Sequence, residues 1–248
     1  MRRSMLFLPG NTPNMLINGN CLGSDAVIFD LEDAVSPAEK DAARILVRNT
    51  MRYMDFRGCE IIVRINSIDT AFWKQDIDAI LPQKPNLILL PKTGCAADVL
   101  EADAYITQVE EKLGLEKNTV GLMPLIETAM GVENAFQIAS ATSRVQALFL
   151  GAEDLTADLQ CKRTKEGREI EYARTRLVVA ARAAGVDVYD TPFTDVNDDE
   201  GIVTDAQLAK SQGKGAIALR GKMIDAPIVA RAERTISMAV EMGLGREV

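Results

Sequence analysis

The chain contains 248 residues with 36 acidic and 28 basic side chains, which give a formal charge of −8. Its length suits one (β/α)8 barrel, and its composition is that of a globular protein. The acidic surface disfavours nucleic acids and anionic membranes as partners, since both carry negative charge. The absence of histidine excludes histidine bases and zinc–histidine sites. Any acid–base or metal chemistry must therefore use carboxylates, Lys, Arg, Tyr or Cys.

The N-terminal segment begins with an apolar run that Pro9 and Gly10 end after a few residues. That run is too short for a secretory signal, and no stretch approaches the ~18 apolar residues of a membrane span. The four cysteines form no C-x-x-C pair and are expected to be reduced thiols. We expect a cytoplasmic protein without a membrane partner.

Short apolar runs rich in Val, Ile and Leu recur along the chain and alternate with segments of helical character. They cover residues 4–8, 26–29, 61–65, 87–90, 120–125, 147–150 and 186–189, with a weaker eighth run at 216–219. Such alternation predicts a parallel sheet covered by helices, and seven or eight units favour a closed (β/α)8 TIM barrel. We predict a barrel domain over residues 1–217 and a separate C-terminal segment over 218–248.

Helix signals lie between these runs. Ser36 and Pro37 predict a helix start, because Ser is favoured at the N-cap and Pro at the first helical position. Residues 101–113 and 170–184 have helical apolar spacing. Gly185 is typical of the residue that follows a helix C-terminus.

Charged residues follow almost every predicted strand. In a barrel these positions meet at one rim, where active sites are built. The rim set comprises Asp30, Glu32, Asp33, Arg64, Lys92, Glu127, Glu153, Asp154 and Asp190. Packing alone does not explain charge at so many strand ends.

The acidic members of this set indicate a cation site, since crowded carboxylates stay ionised only when a cation neutralises them. Without histidine or clustered thiols the ligands are oxygens, which favours Mg²⁺ or Mn²⁺. We choose Glu127 and Asp154 as metal ligands, because each stands just past its strand and the two strands are neighbours. The alternative is that these acids are helix N-caps at strand–helix junctions.

Arg64 lies inside an otherwise apolar run, where a guanidinium needs an anionic partner. It either clamps a substrate carboxylate or forms a structural ion pair with a rim acid. Lys92 follows Leu90 and Pro91 in a similar way. A Schiff-base lysine is possible at a barrel rim, but nothing nearby indicates a depressed pKa, so we assign Lys92 to support of the acidic cluster.

Five motifs together resemble the citrate lyase-like and malyl-CoA lyase-like (HpcH/HpaI aldolase) family, and within it the citrate lyase β subunits. They are FDLEDAV at 29–35, RIN at 64–66, LPK at 90–92, PLIET at 124–128 with Gly131, and GAEDL at 151–155. The resemblance implies Mg²⁺-dependent cleavage of citryl-acyl carrier protein to oxaloacetate and an acetyl thioester.

The resemblance also implies residue roles. Glu127 and Asp154 bind Mg²⁺, Glu127 and Arg64 contact the substrate, and Asp33 orients a water on the metal. The segment at 221–227 resembles the family's C-terminal motif, in which the aspartate, here Asp225, is a catalytic acid/base delivered by a neighbouring subunit. From the residues alone, Asp225 is a helix N-cap before Ala226 and Pro227.

Two departures from the family pattern matter. Relatives place an Ile-His-Pro motif and two helices before the C-terminal motif, whereas here Gly221 follows Ile217 almost at once. Either this segment is deleted or its residues are left out of the sequence as given; we favour the second, because a deletion would remove part of the barrel wall. Asn14 and Asn18 stand where CoA-using relatives carry lysines, which favours a thioester on a carrier protein over free CoA.

The implied partners are an acyl carrier protein and an α subunit, and the implied assembly is a homotrimer or hexamer. The same site is also compatible with cleavage of malyl-CoA, methylmalyl-CoA or citramalyl-CoA, or with hydrolysis of malyl-CoA. A catalytically silent subunit of a complex is the non-enzymatic alternative.

Overall fold

The core of the computed structural model is a seven-stranded parallel sheet in which each strand pairs with the next one in sequence. The structure describes residue 2, residues 4–56 and 58–193, and residues 197–198, 200–204 and 207. The strands are β1 Met5–Pro9, β2 Ala26–Asp30, β3 Glu60–Arg64, β4 Leu87–Leu90, β5 Gly121–Ile126, β6 Ala147–Leu150 and β7 Asp187–Tyr189. All seven predicted runs are confirmed as strands. The eighth, at 216–219, lies outside the described residues.

Helices follow the strands. They are α1 Pro13–Asn18, α2 Lys40–Tyr53, α3 Trp73–Ile80, α4 Ala96–Lys112, α5 Ala129–Glu133, α6 Ala135–Ala139, α7 Ala152–Asp158 and α8 Glu171–Ala184. As predicted, α8 ends at Gly185, whose φ of 75° lies in the left-handed region that glycine tolerates. No helix in the part of the chain that the structure describes is both long and apolar enough to cross a membrane.

Two helix starts differ from the prediction. Pro37–Glu39 is a 3₁₀ turn that leads into α2, and the Ser36 hydroxyl donates to the Glu39 carboxylate rather than capping a backbone N–H. Helix α4 begins at Ala96, before the predicted residue 101, because Asp98 accepts the backbone N–H groups of Gly94 and Cys95. A cysteine N-cap is a weak sequence signal, so this start was not predicted.

The sheet is strongly curled. Arg2, which precedes β1, forms an ion pair with Glu60 at the start of β3 and donates to the Tyr189 hydroxyl of β7 at 3.1 Å. It also lies 3.6 Å from the carboxylate of Asp187. One guanidinium therefore bridges the N-terminal ends of the first, third and seventh strands. The described residues establish a curled seven-stranded α/β sheet; its closure into an eight-stranded barrel stays a prediction.

Both faces of the sheet are buried, as expected for parallel strands covered by helices. The outer face packs against the helices, whereas alternate residues of β2 to β6 form a second apolar cluster inside the curl. That inner cluster contains Ala26, Ile28, Ile62, Leu87, Leu89, Met123, Leu125, Ala147 and Phe149. Since side chains two residues apart share a face, these rows continue upward into Asp30, Arg64, Glu127 and Gly151.

Candidate functional site at the strand ends

Asp30 and Arg64 are register partners at the ends of β2 and β3. The Asp30 carboxylate accepts Nε and Nη2 of Arg64 at 2.7 and 2.6 Å. The same carboxylate accepts the backbone N–H groups of Glu32 and Ala34, so it also shapes the loop that follows β2. The structure therefore contains the ion pair that was one of the two interpretations of Arg64.

The remaining edge of Arg64 faces other acids. Its Nη1 lies 3.2 Å from Glu32 and 3.9 Å from Asp33, and its guanidinium carbon lies 5.2 Å from the centre of the Phe7 ring. Burial alone would lower the pKa of Arg64, but the hydrogen bonds and charges of these acids raise it. The guanidinium stays charged, and Nη1 is the part that a substrate can contact.

The side chain of Lys40, in the first turn of α2, holds the backbone of the loop after β2. This ammonium is buried and donates to the carbonyl oxygens of Leu31 and Glu32 at 2.8 and 2.6 Å. Burial is the main reason that the pKa of Lys40 is lowered. Lys40 was not predicted as part of the site, although a buried lysine in the first turn of an amphipathic helix needs such acceptors.

A second support lies under β3. Asp76 of α3 is fully buried and accepts the backbone and side-chain N–H groups of Asn66 at 2.9 and 2.7 Å. It also accepts Nε of Arg44 at 2.8 Å. These bonds hold the backbone just past Arg64, and the sequence offers no local signal for them because they join three separate elements.

Glu32 and Lys92 face each other across the rim. The Lys92 ammonium lies 2.8 Å from Oε1 of Glu32, whereas Oε2 is buried without a hydrogen-bond partner among the described residues. Burial raises the pKa of Glu32, and the charges of Lys92 and Arg64 offset only part of that rise. Each oxygen of the Glu32 carboxylate therefore has one cationic neighbour, because Nη1 of Arg64 lies 3.2 Å from Oε2.

Glu127, just past β5, is 3% exposed, and Oε1 accepts the backbone N–H of Lys92 at 2.6 Å. In the described part of the chain, no lysine or arginine nitrogen is paired with this carboxylate. Burial, opposed by that N–H and reinforced by the charges of Glu32 and Asp154, raises the pKa of Glu127 to about 8. A Cβ atom at Gly151 would lie 2.7 Å from Oε2 of Glu127, so glycine at this position makes room for the carboxylate.

Asp33 and Asp154 form the outer part of the rim. Their side chains are 53% and 41% exposed and lie 3.7 and 3.8 Å from the Lys92 ammonium. Glu153 turns away toward Arg163, and Asp190 pairs with Arg174. Of the predicted site residues, Arg64, Asp33, Glu127 and Asp154 share one rim around Lys92, while Asp225 lies outside the described residues.

The donor set fits a hard divalent cation chemically. Glu32, Asp33, Glu127 and Asp154 outnumber the two cations Arg64 and Lys92, and the buried carboxylate of Glu127 is paired with neither of these cations. Among the described residues, no three acids or thiols are already arranged as a metal-binding group. Mg²⁺ needs only one or two carboxylates and takes water for its other ligands, so two acids suffice.

A cavity of about 710 Å³ opens at the other end of the strands. Its lining includes Arg2, Asp25, Cys59, Glu60 and Asn86, which precede or begin strands. Parallel-sheet enzymes place their chemistry at the C-terminal strand ends. The acidic rim, rather than this cavity, is the candidate functional site.

The chain is similar in sequence to known proteins. A sequence model of the HpcH/HpaI aldolase/citrate lyase family matches residues 3–219. The citrate lyase subunit beta of Leuconostoc mesenteroides subsp. cremoris is 38% identical over 96% of this chain and 93% of that protein. The L-malyl-CoA/beta-methylmalyl-CoA lyase of Cereibacter sphaeroides is 33% identical over 90% of this chain and 76% of that protein.

Solved structures of this family have a similar fold. The citrate lyase beta subunit from M. tuberculosis complexed with oxaloacetate and magnesium has a TM-score of 0.70 and 31% sequence identity, over 84% of this chain and 86% of that one. The Leuconostoc alignment spans 282 positions, more than the 248 residues here, so that relative has internal residues without a counterpart. The location of the gap between Ile217 and Gly221 stays a prediction.

Proposed function

We propose, from the premise that this chain belongs to the HpcH/HpaI aldolase/citrate lyase family, that it is a carbon–carbon lyase acting on a 3-hydroxyacyl thioester. The substrate is citryl-acyl carrier protein, and the products are oxaloacetate and the acetyl thioester. The similarity to citrate lyase β subunits supports this choice, because it covers 93% of the Leuconostoc relative compared with 76% of the malyl-CoA lyase.

The observation that carries the proposal is the buried carboxylate of Glu127, which pairs with no lysine or arginine of the described residues and has Glu32 and Asp154 as acidic neighbours. Such an excess of negative charge at a strand-end rim is typical of a functional site. Glu127 and Asp154 would hold Mg²⁺, as the magnesium in the M. tuberculosis relative supports. Bound there, the metal supplies Lewis acidity to the oxygen that changes from hydroxyl to ketone.

The side chains orient the substrate and its protons. Arg64 offers Nη1 to a substrate carboxylate, while Asp30 holds the rest of the guanidinium rigid. Asp33, exposed on the rim, orients water. Loss of the hydroxyl proton breaks the C–C bond and leaves its electron pair on the thioester as an enolate. Resemblance assigns the acid/base role to Asp225: the proton lost by the hydroxyl is matched by the one that Asp225 gives to the enolate carbon, so the cleavage changes no net count of protons or electrons.

The proposed carrier is a protein rather than free CoA. Asn14 and Asn18 are exposed on α1, and the side-chain N–H of Asn18 donates to the carbonyl oxygen of Asn14. Neither supplies positive charge to a nucleotide phosphate. We extend the proposal to a cytoplasmic homotrimer or hexamer that works with an α subunit and an acyl carrier protein, as the family resemblance implies.

A panel of thioesters tests the function. Citryl, malyl, methylmalyl and citramalyl groups are offered on acyl carrier protein and on CoA, with Mg²⁺ or EDTA, and oxo-acid and thiol release are followed separately. We expect the fastest oxo-acid release from citryl-acyl carrier protein and none with EDTA. Faster turnover of malyl-CoA would reassign the substrate, and thiol release without C–C cleavage would make the protein a thioesterase. No turnover and no Mg²⁺ binding would indicate a silent subunit.

A further inference from the structure

We propose that Lys92 is a resident counterion of the rim: its ammonium lies beside Asp154, one of the two proposed ligands of the divalent cation, when the cation is absent, and is displaced when the cation binds. The inference rests on the proposed function, because it concerns the same cation. Its basis is the position of one ammonium among three acids.

The Lys92 ammonium contacts acids from two separate segments, the loop after β2 and the first turn of α7. It lies 2.8 Å from Glu32, 3.7 Å from Asp33 and 3.8 Å from Asp154. Asp154 is one of the two proposed metal ligands. A divalent cation bound to Asp154 and the ammonium would repel each other, so binding of the cation favours movement of the ammonium away from Asp154.

The backbone holds Lys92 in this place. Its φ of 53° lies in the left-handed region, which is unfavourable for a residue with a side chain. In that conformation the Lys92 N–H donates to Glu127 at 2.6 Å while its ammonium reaches Glu32. One residue thus contacts Glu127 through its backbone and Asp154 through its side chain. Only the side-chain contact must break for a cation to bind.

The Lys92 side chain can move away without leaving Glu32, its nearest acid, unpaired. Lys92 is 41% exposed, and its flexible stem lets the ammonium swing into water. Glu32 keeps Nη1 of Arg64 at 3.2 Å. Exchange of the ammonium for a divalent cation therefore leaves every rim acid with a positive neighbour. Because the ammonium competes with the cation for the same acids, it lowers the apparent affinity of the protein for the cation.

The test compares cation affinity among full-length variants stripped of metal. Mn²⁺ binding is measured by electron paramagnetic resonance and Mg²⁺ binding by calorimetry for the wild type, Lys92→Met, Lys92→Arg and Lys84→Met. Lys84 is a matched control, because it is an exposed lysine with a φ of 54° away from the rim.

We expect Lys92→Met to bind Mn²⁺ about tenfold tighter than the wild type, because the competing charge is gone. Lys92→Arg, which keeps that charge, and Lys84→Met, whose charge is remote and screened, should stay near the wild-type value. Tighter binding by Lys92→Met when the wild type binds no cation also supports the inference. Equal or weaker binding by Lys92→Met, with the wild type still binding, overturns it and leaves the proposed function intact. Failure of both proteins to bind overturns both proposals.

A measurement on the wild type avoids dependence on folding of the variant. Lysine acylation is followed residue by residue by mass spectrometry, with and without Mg²⁺. Release of Lys92 from the acids should increase its labelling several-fold, while Lys84 is unchanged. Protection of Lys92 by Mg²⁺ would contradict displacement.

Discussion

Two clusters of charged residues, the buried Arg144 cluster and the partly exposed rim, show the difference between a structural and a chemical role in this protein. The Arg144 cluster, formed by Arg144, Asp103 and Glu110, lies under β5 and β6 and is fully paired. Arg144 has no exposed side-chain surface; its nitrogens bind Asp103 at 2.5 Å, Glu110 at 2.8 and 2.9 Å, and the Val120 carbonyl at 2.7 Å. The rim also combines carboxylates with cations, but its buried Glu127 accepts a backbone N–H and is paired with no lysine or arginine among the described residues.

The pKa values of the two buried glutamates, Glu110 in the Arg144 cluster and Glu127 in the rim, shift in opposite directions. Burial alone would raise the pKa of Glu110, but the hydrogen bonds and charge of Arg144 lower it. Burial raises the pKa of Glu127, and neighbouring acids raise it further. The comparison teaches that a buried carboxylate with a full set of donors supports the fold, whereas one left with acids as neighbours is suited to bind a cation or transfer a proton.

The largest effect should come from breaking the paired cluster. Arg144→Met leaves Asp103 and Glu110 buried without their cation, which costs about 3–5 kcal/mol in the free energy of unfolding. Urea denaturation measures the change. The double change Arg144→Met with the isosteric Glu110→Gln should recover part of the loss, because it removes one of the unpaired charges. A stability equal to the wild type in the single variant would contradict the structural role.

Removal of a proposed metal ligand should affect activity rather than stability. Glu127→Gln and Asp154→Asn are each expected to reduce Mg²⁺-dependent oxaloacetate release by about a hundredfold or more. Glu153→Gln is the matched control, since Glu153 is adjacent in sequence but turns toward Arg163, and it should retain most activity. Full activity in either ligand variant would reject the metal assignment.

Arg64→Lys should lower kcat/KM by about tenfold or more, because lysine cannot make the two-pronged contact with Asp30 and still face the substrate. The loss should appear mainly as a raised KM for the oxaloacetate-forming part of the substrate. Steady-state kinetics with the wild type as reference measure it, and unchanged kinetics would remove Arg64 from the substrate site.

The smallest effect concerns pH. Because the folded-state pKa of Glu127 is raised to about 8, its contribution to stability is full below its unfolded pKa near 4.5 and is lost as pH rises through 8. Metal-free Glu127→Gln should therefore be more stable than the wild type by about 1–3 kcal/mol at pH 9, with a smaller difference at pH 5. Glu110→Gln should show the opposite sign, losing stability at neutral pH and losing less as pH falls below the usual range of Glu. Parallel melting curves for both variants would contradict this contrast.

Local patterns predicted much of the fold. The seven strands follow from runs of Val, Ile and Leu, and the end of α8 follows from Gly185. Both could be predicted because each signal is contained within a few neighbouring residues. The start of α4 was not predicted, since its Cys95 cap depends on Asp98 reaching back to the backbone. Lys40 and Asp76 were missed because their acceptors and donors belong to other elements.

The sequence by itself determined which residues stand at the strand ends, since alternation of strand and helix places Arg64, Glu127 and Asp154 at one edge. Only the tertiary structure decided how charge is shared there. Asp30 accepts two hydrogen bonds from the Arg64 guanidinium, and Glu32 accepts one from the Lys92 ammonium. Glu127 pairs with no lysine or arginine in the part of the chain described. Pairing depends on distances of a few ångströms between separate strands, and burial sets its strength, so neither can be derived from spacing along the chain.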